Sequence, residues 1–369
     1  MISGGRDGKL IILLTQDQGY SIVKTIELGG DSHPKAIDYL NGKVLVGLRN
    51  GTILEFHEST PQDKNTLLQS HNEGESWGLC VAPGDEMIFT SGDDNKILGI
   101  DYHIRKVLNQ GIVSLDEKLR DEDKGKTPTA ATLSYYPVHQ QSRALAYCKE
   151  NGHIAVSNNY GSVSIRHKSN LTQEQHYLSQ PREWNEVMKY SPCGAYLAVG
   201  SHDNKVYIFK VSDGYSLYAT FDKHNSFVTA LDWSVDSTYI RSICGAYEKL
   251  YFNVTKKEFD NSGMTNTKDL AWDSLSIKKG WDVDGTRPSS EDGSHINGVD
   301  RSQDGNLVAT SDDFGLLNIF RYPIMSNKHK ARSYSGHSEH VVRALFTPTA
   351  DRIFTIGGYD KTIIQWKRK

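Results

Sequence analysis

The sequence predicts an all-β fold in which one small sheet is repeated many times along the chain. Three observations lead to this class: alternating apolar runs, frequent turn residues and a repeat of regular length. The 369 residues include 32 glycines and only 10 prolines, which suits many short strands joined by tight turns. Val206–Val211 alternates, while the double-apolar step Ile363-Ile364 indicates a sheet packed on both faces. No segment has a convincing helical pattern.

The repeat length is read from the turn that precedes the third strand of each unit. These turns carry Asp7, Asn50, Asp94, Asn159, Asp203, Tyr247, Asp313 and Asp360. The successive spacings are 43, 44, 65, 44, 44, 66 and 47 residues, so five of them cluster and two are longer. A period of about 40–45 residues is typical of WD40 repeats, which build β-propellers. The long intervals predict insertions at 112–141 and 256–293.

The last repeat shows the residue types of such a unit most clearly. It begins with Gly-His, places an aspartate in the turn and ends its third strand on tryptophan. We expect a chain of hydrogen bonds in which the aspartate contacts the imidazole and the imidazole contacts a hydroxyl. The same hydroxyl should accept a hydrogen bond from the indole N–H. The predicted network consists of His337, Thr355, Asp360 and Trp366. The same structural role is predicted for His71, His224, Asp94, Asp203 and Asp313.

Seven innermost strands are predicted, near residues 35, 77, 144, 187, 228, 296 and 341, and they give a propeller of seven blades. The ring is expected to close where an outer strand at 20–28 joins the sheet of 341–366. Residues 1–15 are then the trailing strands of a preceding blade or propeller, and 16–369 form the propeller. The alternative is an eighth, irregular blade at the N-terminus.

The two insertions differ in composition. The first begins with the charged run 116–128, expected to be mobile, and continues into an ordered arm with Tyr135 and Tyr136. The second carries Trp272 and Trp281, so it is expected to pack on the body of the protein.

Composition excludes several classes of function. The net charge of −3 provides no basic field for nucleic acid or an anionic membrane. Cys80, Cys148, Cys193 and Cys244 lack CxxC spacing, which favours free thiols in a reducing compartment. No apolar run approaches the roughly 20 residues of a membrane helix, and no signal peptide is recognised. A soluble intracellular protein without cofactors is expected.

Several motifs together resemble one family, the echinoderm microtubule-associated protein-like proteins, in their C-terminal propeller. They include LAVGSHDNKVYIF at 197–209, LDWSVDSTYI at 231–240, DLAW at 269–272, SHINGVDRS at 294–302, DDFGLLNIFRYP at 312–323, SGHSEHV at 335–341 and IGGYDKTIIQW at 356–366. The likeness covers nearly the whole chain and is most specific over the final 180 residues.

The resemblance implies a partner and a location. Members carry two interlocked propellers, so this chain would correspond to the second, with an upstream propeller of the same protein as a partner. The implied partners are tubulin or microtubules, and the implied location is the cytoplasm and cytoskeleton, including cilium or spindle. The implied function is a non-catalytic interaction scaffold.

Exposed aromatic and polar residues just before the innermost strands are the predicted partner-binding positions. They are Trp77, Trp184, Asn185, Phe227, His295 and His340. The alternative is that Trp77 and Trp184 simply pack between blades.

No catalytic or metal-binding residues are predicted. Ser201-His202-Asp203 lacks a placed nucleophile and base. Asp93-Asp94 and Asp312-Asp313 lack the alternating ligands of a calcium loop. Two alternative functions remain open: a peptide-docking WD40 module of another signalling or ciliary complex, and a propeller hydrolase, which needs convergent acids, histidine or a metal in its channel.

Overall fold

A computed structural model describes residues 1–14, 19–29, 32–113, 141–287 and 293–368. They form eight antiparallel sheets, so the predicted all-β class is confirmed. By their contacts the described residues divide into two compact units, Met1–Glu73 and Gly74–Lys369. None of the described helices is long and apolar enough to cross a membrane. The predicted boundary between residues 15 and 16 stays a prediction, and so does the number of blades around one axis.

The first unit contains two sheets that share one core. Sheet 1 consists of Ile2–Gly4, Lys9–Leu13 and Ile22–Glu27, and sheet 2 of Pro34–Leu40, Lys43–Leu48, Ile53–His57 and Thr60–Leu68. Leu10 and Ile26 of sheet 1 are buried against Val46 and Phe56 of sheet 2.

The third strand of sheet 1 has a different partner from the one expected. Ile22–Glu27 pairs with Lys9–Leu13, and the ion pair Lys9–Glu27 at 2.9 Å lies across this ladder. The expectation that 20–28 joins the sheet of 341–366 is therefore wrong. Strands that follow each other in sequence usually pair, and the local partner is taken here.

The second unit contains six sheets. Sheet 3 consists of Ser76–Ala82, Met87–Gly92, Lys96–Asp101 and Lys106–Ile112; sheet 4 of Ser142–Tyr147, His153–Asn158, Val163–His167 and Asn170–Leu178; and sheet 5 of Asn185–Tyr190, Tyr196–Ser201, Val206–Lys210 and Ser216–Phe221. Sheet 6 consists of Val228–Trp233, Tyr239–Cys244, Lys249–Asn253 and Glu258–Phe259; sheet 7 of Ile296–Arg301, Leu307–Asp312, Leu316–Arg321 and Arg332–Ser335; and sheet 8 of Val341–Phe346, Arg352–Gly357 and Ile363–Lys367. The predicted innermost strands are the first strands of sheets 2 to 8.

Hydrophobic clusters join neighbouring sheets of the second unit, except sheets 6 and 7. Separate clusters lie between sheets 3 and 4, 4 and 5, 5 and 6, and 7 and 8. The circuit closes because Leu79 and Ile88 of sheet 3 pack on Phe354 and Ile356 of sheet 8. This closure is the arrangement of a propeller, in which each sheet buries both faces.

The second insertion fills the place between sheets 6 and 7. Ile277 packs on Ala230 and Ile243 of sheet 6, while Leu275 and Val283 pack with the core of sheet 7. Besides the short strand Glu258–Phe259 of sheet 6, its described residues form the short helix Gly263–Asn266 and the 3-10 turn Asp284–Thr286. Another 3-10 turn, Val211–Asp213, connects the last two strands of sheet 5.

The two tryptophans of this insertion behave differently. Trp272 lies 6.2 Å from the ring of Tyr251 and under the guanidinium of Arg241 at 4.5 Å. Trp281 is 70% exposed. The first insertion falls outside the described residues from 114 to 140, so the predictions for 116–128, Tyr135 and Tyr136 stay predictions.

The four residues of the predicted network are in hydrogen-bond contact. The imidazole of His337 lies with Nδ1 2.9 Å from Asp360 Oδ2 and Nε2 2.7 Å from Thr355 Oγ1. The indole Nε1 of Trp366 donates to the same Thr355 hydroxyl at 2.9 Å. Thr355 is fully buried, so its hydroxyl satisfies two groups that water cannot reach.

The other turn aspartates are used in different ways. Asp94 accepts from the backbone of Lys96, and Asp203 accepts from Arg182 N and the Tyr207 hydroxyl. In sheet 7 the turn bonds go to Asp312 Oδ1, which accepts from the backbone of Phe314 and Leu316. Asp313 instead accepts from the Asn297 amide at 2.9 Å.

Asp232 and Asp300 occupy equivalent positions in sheets 6 and 7 but have different partners. Arg241 lies opposite Asp232 on the neighbouring strand, whereas Ala309 lies opposite Asp300. Burial alone would raise the pKa of Asp232, but the charges of Lys189, at 2.8 Å, and Arg241 hold it well below its usual range. Burial raises the pKa of Asp300 to about 6, even though its Oδ2 accepts from Phe346 N at 2.8 Å.

Replacing Thr355 by valine should destabilise the protein by about 1–3 kcal/mol, because His337 and Trp366 then lose a buried partner. Urea unfolding followed by tryptophan fluorescence measures the change. Thr220→Val, the same substitution at an exposed strand position, should change stability by less than about 0.5 kcal/mol. Equal shifts for the two variants would contradict the assigned network.

Replacing Asp300 by asparagine should stabilise the protein at pH 7 by about 1–3 kcal/mol, since a carboxylate with a raised pKa is costly to ionise in the folded state. The folded state of the wild type holds this proton more tightly than the unfolded state. The contribution of Asp300 to the free energy of unfolding therefore falls as pH rises from about 4 to about 6. Unfolding curves recorded between pH 4 and 7 should show the gain growing across that interval.

Asp232→Asn provides the opposite case at the equivalent position. It should destabilise by about 3–5 kcal/mol at pH 7, because it leaves Lys189 and Arg241 without their buried counter-charge. If both asparagine variants shift stability in the same direction, the electrostatic assignment is wrong.

Candidate functional site

One backbone irregularity recurs at the start of the innermost strands of the second unit. The ladder to the second strand shifts register after the first paired residue in each of the six sheets. A β-bulge of this kind re-aims the side chain of the extra residue. The residues at these shifts are Trp77, Arg143, Glu186, Thr229, Asn297 and Val342, here called the bulge ring.

All six side chains of the bulge ring line one cavity of about 590 Å³. Ser276 and Lys278 of the second insertion complete the wall between sheets 6 and 7. The bulges therefore bring together residues that are far apart in sequence, one from each sheet, at the mouth of a central channel.

A continuous stack of side chains runs along this mouth from sheet 3 to sheet 6. The guanidinium of Arg143 lies 4.1 Å from the ring centroid of Trp77 and 4.5 Å from that of Trp184. The next ring, His202, lies edge-on to Trp184 at 4.5 Å and stacks on Phe227 at 4.6 Å. We call these five residues the aromatic stack.

Polar partners hold the members of the stack in place. The Trp77 indole donates to Asp93 Oδ1 at 2.9 Å, and Arg143 Nε donates to Asn159 Oδ1 at 2.9 Å. Burial lowers the pKa of Arg143 and raises that of Asp93, although each group partly offsets the effect on the other. The stack is thus fixed before any partner arrives, which reduces the entropy lost on binding.

The charged groups of the channel neutralise each other. Burial would raise the pKa of Glu186, but the hydrogen bond with His202 at 3.2 Å and the charge of Arg343 keep it below its usual value. Burial lowers the pKa of Lys278, against the charge of Glu186. Arg343 also reaches from sheet 8 to donate to the Glu186 carbonyl at 2.8 Å.

The structure places the predicted partner-binding residues in four different surroundings. Trp77, Trp184 and Phe227 belong to the aromatic stack, and Phe227 is 41% exposed. The tryptophans are half-buried, so they pack between sheets and also present an edge to solvent.

The other three residues are not in the stack. Asn185 is fully buried and donates to the Gly161 carbonyl at 2.7 Å, which is a structural contact. His340 lies 3.3 Å from Glu75 at the cavity wall, and His295 packs beside Phe314 at 5.6 Å.

Sequence reasoning missed Arg143, Glu186 and Asn297, which stand at the bulges. The signal was available in part, because an alignment of the six innermost strands puts these residues in one column with Trp77. Their types are unrelated, so the common position shows only once the bulge is recognised.

The comparisons with known proteins agree with this division of the chain. The family model described as the echinoderm microtubule-associated protein second beta-propeller matches residues 76–368, nearly the whole second unit. The ciliary WD repeat-containing protein ctxp80 of Euplotoides octocarinatus is 44% identical over 100% of this chain and 50% of its own length.

Animal proteins show the same pattern at lower identity. The 77 kDa echinoderm microtubule-associated protein of Lytechinus variegatus is 31% identical over 99% of this chain and 51% of its length. The human echinoderm microtubule-associated protein-like 3 is 30% identical over 99% of this chain and 38% of its length. The chain thus spans about half or less of the length of these relatives. The match to the family model over most of the chain shows that it belongs to the echinoderm microtubule-associated protein family.

Proposed function

We propose that this chain is a non-catalytic interaction scaffold that contributes to the binding of tubulin or microtubules through the aromatic stack. The observation that carries the proposal is the stack itself, a row of five fixed side chains across four sheets. Tryptophan, arginine and partly exposed aromatic groups supply much of the energy in protein interfaces.

The surroundings of the stack also suit a protein partner. Glu339, His340 and Lys278 lie at the wall of the same cavity and provide a polar, mixed-charge rim. A fixed apolar centre with a polar rim is the usual anatomy of a protein–protein interface.

Tubulin is proposed because of the relatives. The names of two of them describe microtubule-associated proteins, and that of another describes a ciliary protein. The proposed location is therefore the cytoplasmic cytoskeleton, including cilium or spindle. An upstream propeller of the same protein is a proposed partner, since the relatives are about twice as long as this chain.

A hydrolase in the channel is the less favoured interpretation. Of the described carboxylates that line the cavity, Glu186 contacts His202 and Asp300 accepts from the Phe346 N–H. Asp313 accepts from Asn297, and Glu339 lies beside His340. A catalytic acid pair needs carboxylates that converge on one substrate atom, and these four are directed to separate protein partners.

Trp184→Ala should weaken tubulin binding by about 30-fold or more, the fold-change of an interface hot spot of about 2 kcal/mol. Co-migration of tubulin dimers with the chain, alone and joined to a first propeller of the family, measures it. Trp281→Ala is the matched control, because Trp281 is 70% exposed and lies outside the stack. It should leave binding within about twofold of the wild type.

Phe227→Ala serves as a second stack variant, since the exposed ring can be removed with less effect on the core. Melting curves for each variant separate a lost contact from a lost fold. Absence of co-migration at micromolar concentrations, with the first propeller present, would overturn the tubulin proposal. Binding that survives both stack variants would overturn the assignment of the surface alone.

A peptide-docking module of another ciliary complex is the second candidate. The 44% identical relative is named as a ciliary protein, and the cavity behind the stack is large enough for a few side chains of a peptide. This function is favoured if tubulin does not bind the chain but another ciliary protein, freed of tubulin, does. The binding of that protein should then be lost in Trp184→Ala.

A further inference from the structure

The turn after the second strand, here called the corner, differs between sheets 6 and 8. In sheet 8 this corner carries the aspartate of the histidine network. Val228 pairs with Cys244 in sheet 6 as Val341 pairs with Gly357 in sheet 8, so Cys244 and Gly357 are equivalent. The turn after Gly357 supplies Asp360 to the imidazole of His337. The turn after Cys244 reads Gly-Ala-Tyr-Glu and contains no aspartate.

The cysteine fills the place of the missing carboxylate. A Cβ atom built on Gly357 would lie 2.0 Å from Asp360 Oδ1 and 2.6 Å from His337 Nδ1, so a side chain at this position is directed at the imidazole. In sheet 6 that direction is taken by a thiol. His224, Cys244 and Glu248 accordingly form a group whose ligand atoms all lie within 4.8 Å of one another.

The histidine of this group is prepared to act as a ligand. Its Nε2 lies 2.6 Å from the Ser242 hydroxyl, whereas its buried Nδ1 has no hydrogen-bond partner. The Nδ1 atom of the buried ring can therefore accept a new partner without breaking the bond to Ser242. A neutral imidazole that donates from one nitrogen and offers the other is the usual form of a metal-bound histidine.

The other two donors are also suitably placed. Cys244 is 1% exposed, and its Sγ lies 3.6 Å from Glu248 Oε2. The carboxylate is oriented by Asn225, whose backbone N–H and side-chain amide donate to it at 3.0 and 2.6 Å.

We propose that His224, Cys244 and Glu248 bind a zinc ion. Bond lengths of about 2.0–2.3 Å place the ligand atoms of a tetrahedral zinc site about 3.3–3.8 Å apart. The Cys244–Glu248 separation already has this value, and the two pairs that include His224 must close by about 1.5 Å at most. One sulfur and one nitrogen donor select zinc over calcium or magnesium, which prefer oxygen ligands.

Zinc binding at this corner would release a proton and would restrain the adjacent turn. The thiol of Cys244 loses its proton to solvent as the Zn–S bond forms, so affinity falls at low pH. The ion would tie the turn 245–248 to the segment that carries His224. The Gly245 N–H already donates to the Phe227 carbonyl at 2.8 Å, next to this turn.

The test uses the full chain after chelator treatment, with zinc titrated against a chromophoric competitor and cobalt(II) as the spectroscopic probe. The wild type should bind one zinc and give a thiolate-to-cobalt absorption band. Cys244→Ser and Glu248→Gln should each weaken zinc binding by about 10-fold or more, and Cys244→Ser should abolish the band. Zinc should also raise the melting temperature of the wild type, because the ion binds the folded state.

Cys193→Ser is the matched control, because Cys193 is exposed and lies outside the group. It should bind zinc like the wild type. Glu248→Gln changes a partly exposed residue, so it remains informative if Cys244→Ser fails to fold. Absence of the thiolate band in the wild type, or equal zinc affinity in wild type, Cys244→Ser and Glu248→Gln, would overturn the proposal.

Discussion

The second unit depends on the burial of both faces of every sheet. A strand such as Val206–Lys210 is almost wholly buried, so its sheet is stable only with a neighbour on each side. The clusters between neighbouring sheets meet this requirement in turn, and Leu79 on Phe354 completes the circuit. Between sheets 6 and 7 the described residues form no further sheet, and Leu275, Ile277 and Val283 of the insertion cover the apolar faces instead. The insertion is thus part of the core of the unit.

The closed packing also explains why a row of unrelated side chains can act as one surface. Each sheet is held by its neighbours, so one bulge per innermost strand is enough to direct a residue toward the channel. Arg143 then sits between Trp77 of sheet 3 and Trp184, which directly precedes sheet 5. It is also held by Asn159, in a turn of its own sheet. A surface built on rigid strands in this way loses little entropy when a partner binds, which is the property that an interaction scaffold needs.

The sequence predicted the features that depend on local chemistry and missed those that depend on pairing. The turn spacing located the repeated sheets because each turn is built from residues adjacent in sequence. The polar residues around Asp360 predicted a hydrogen-bond network because their types are typical of one repeat. The partner of Ile22–Glu27 was predicted wrongly, since strand pairing is not encoded in the strand itself. Arg143 was missed because a bulge is a shift of register, which residue types do not reveal. Trp272 and Trp281 look alike in sequence, but Trp272 lies beside Tyr251 whereas Trp281 is 70% exposed.

Equivalent positions of the repeats have diverged because the hydrophobic clusters, rather than the polar corners, hold the backbone. Sheet 6 keeps the pairing of Val228 with Cys244 although its corner lacks the aspartate of sheet 8. Tyr247 at this turn has a left-handed φ of 64°, the same value as Asn95 in the corresponding turn of sheet 3. The corner of sheet 6 instead holds a thiol near an imidazole whose Nδ1 has no hydrogen-bond partner. The same register position carries Asp232, which is paired with Lys189 and Arg241, and Asp300, whose carboxylate accepts from the Phe346 N–H.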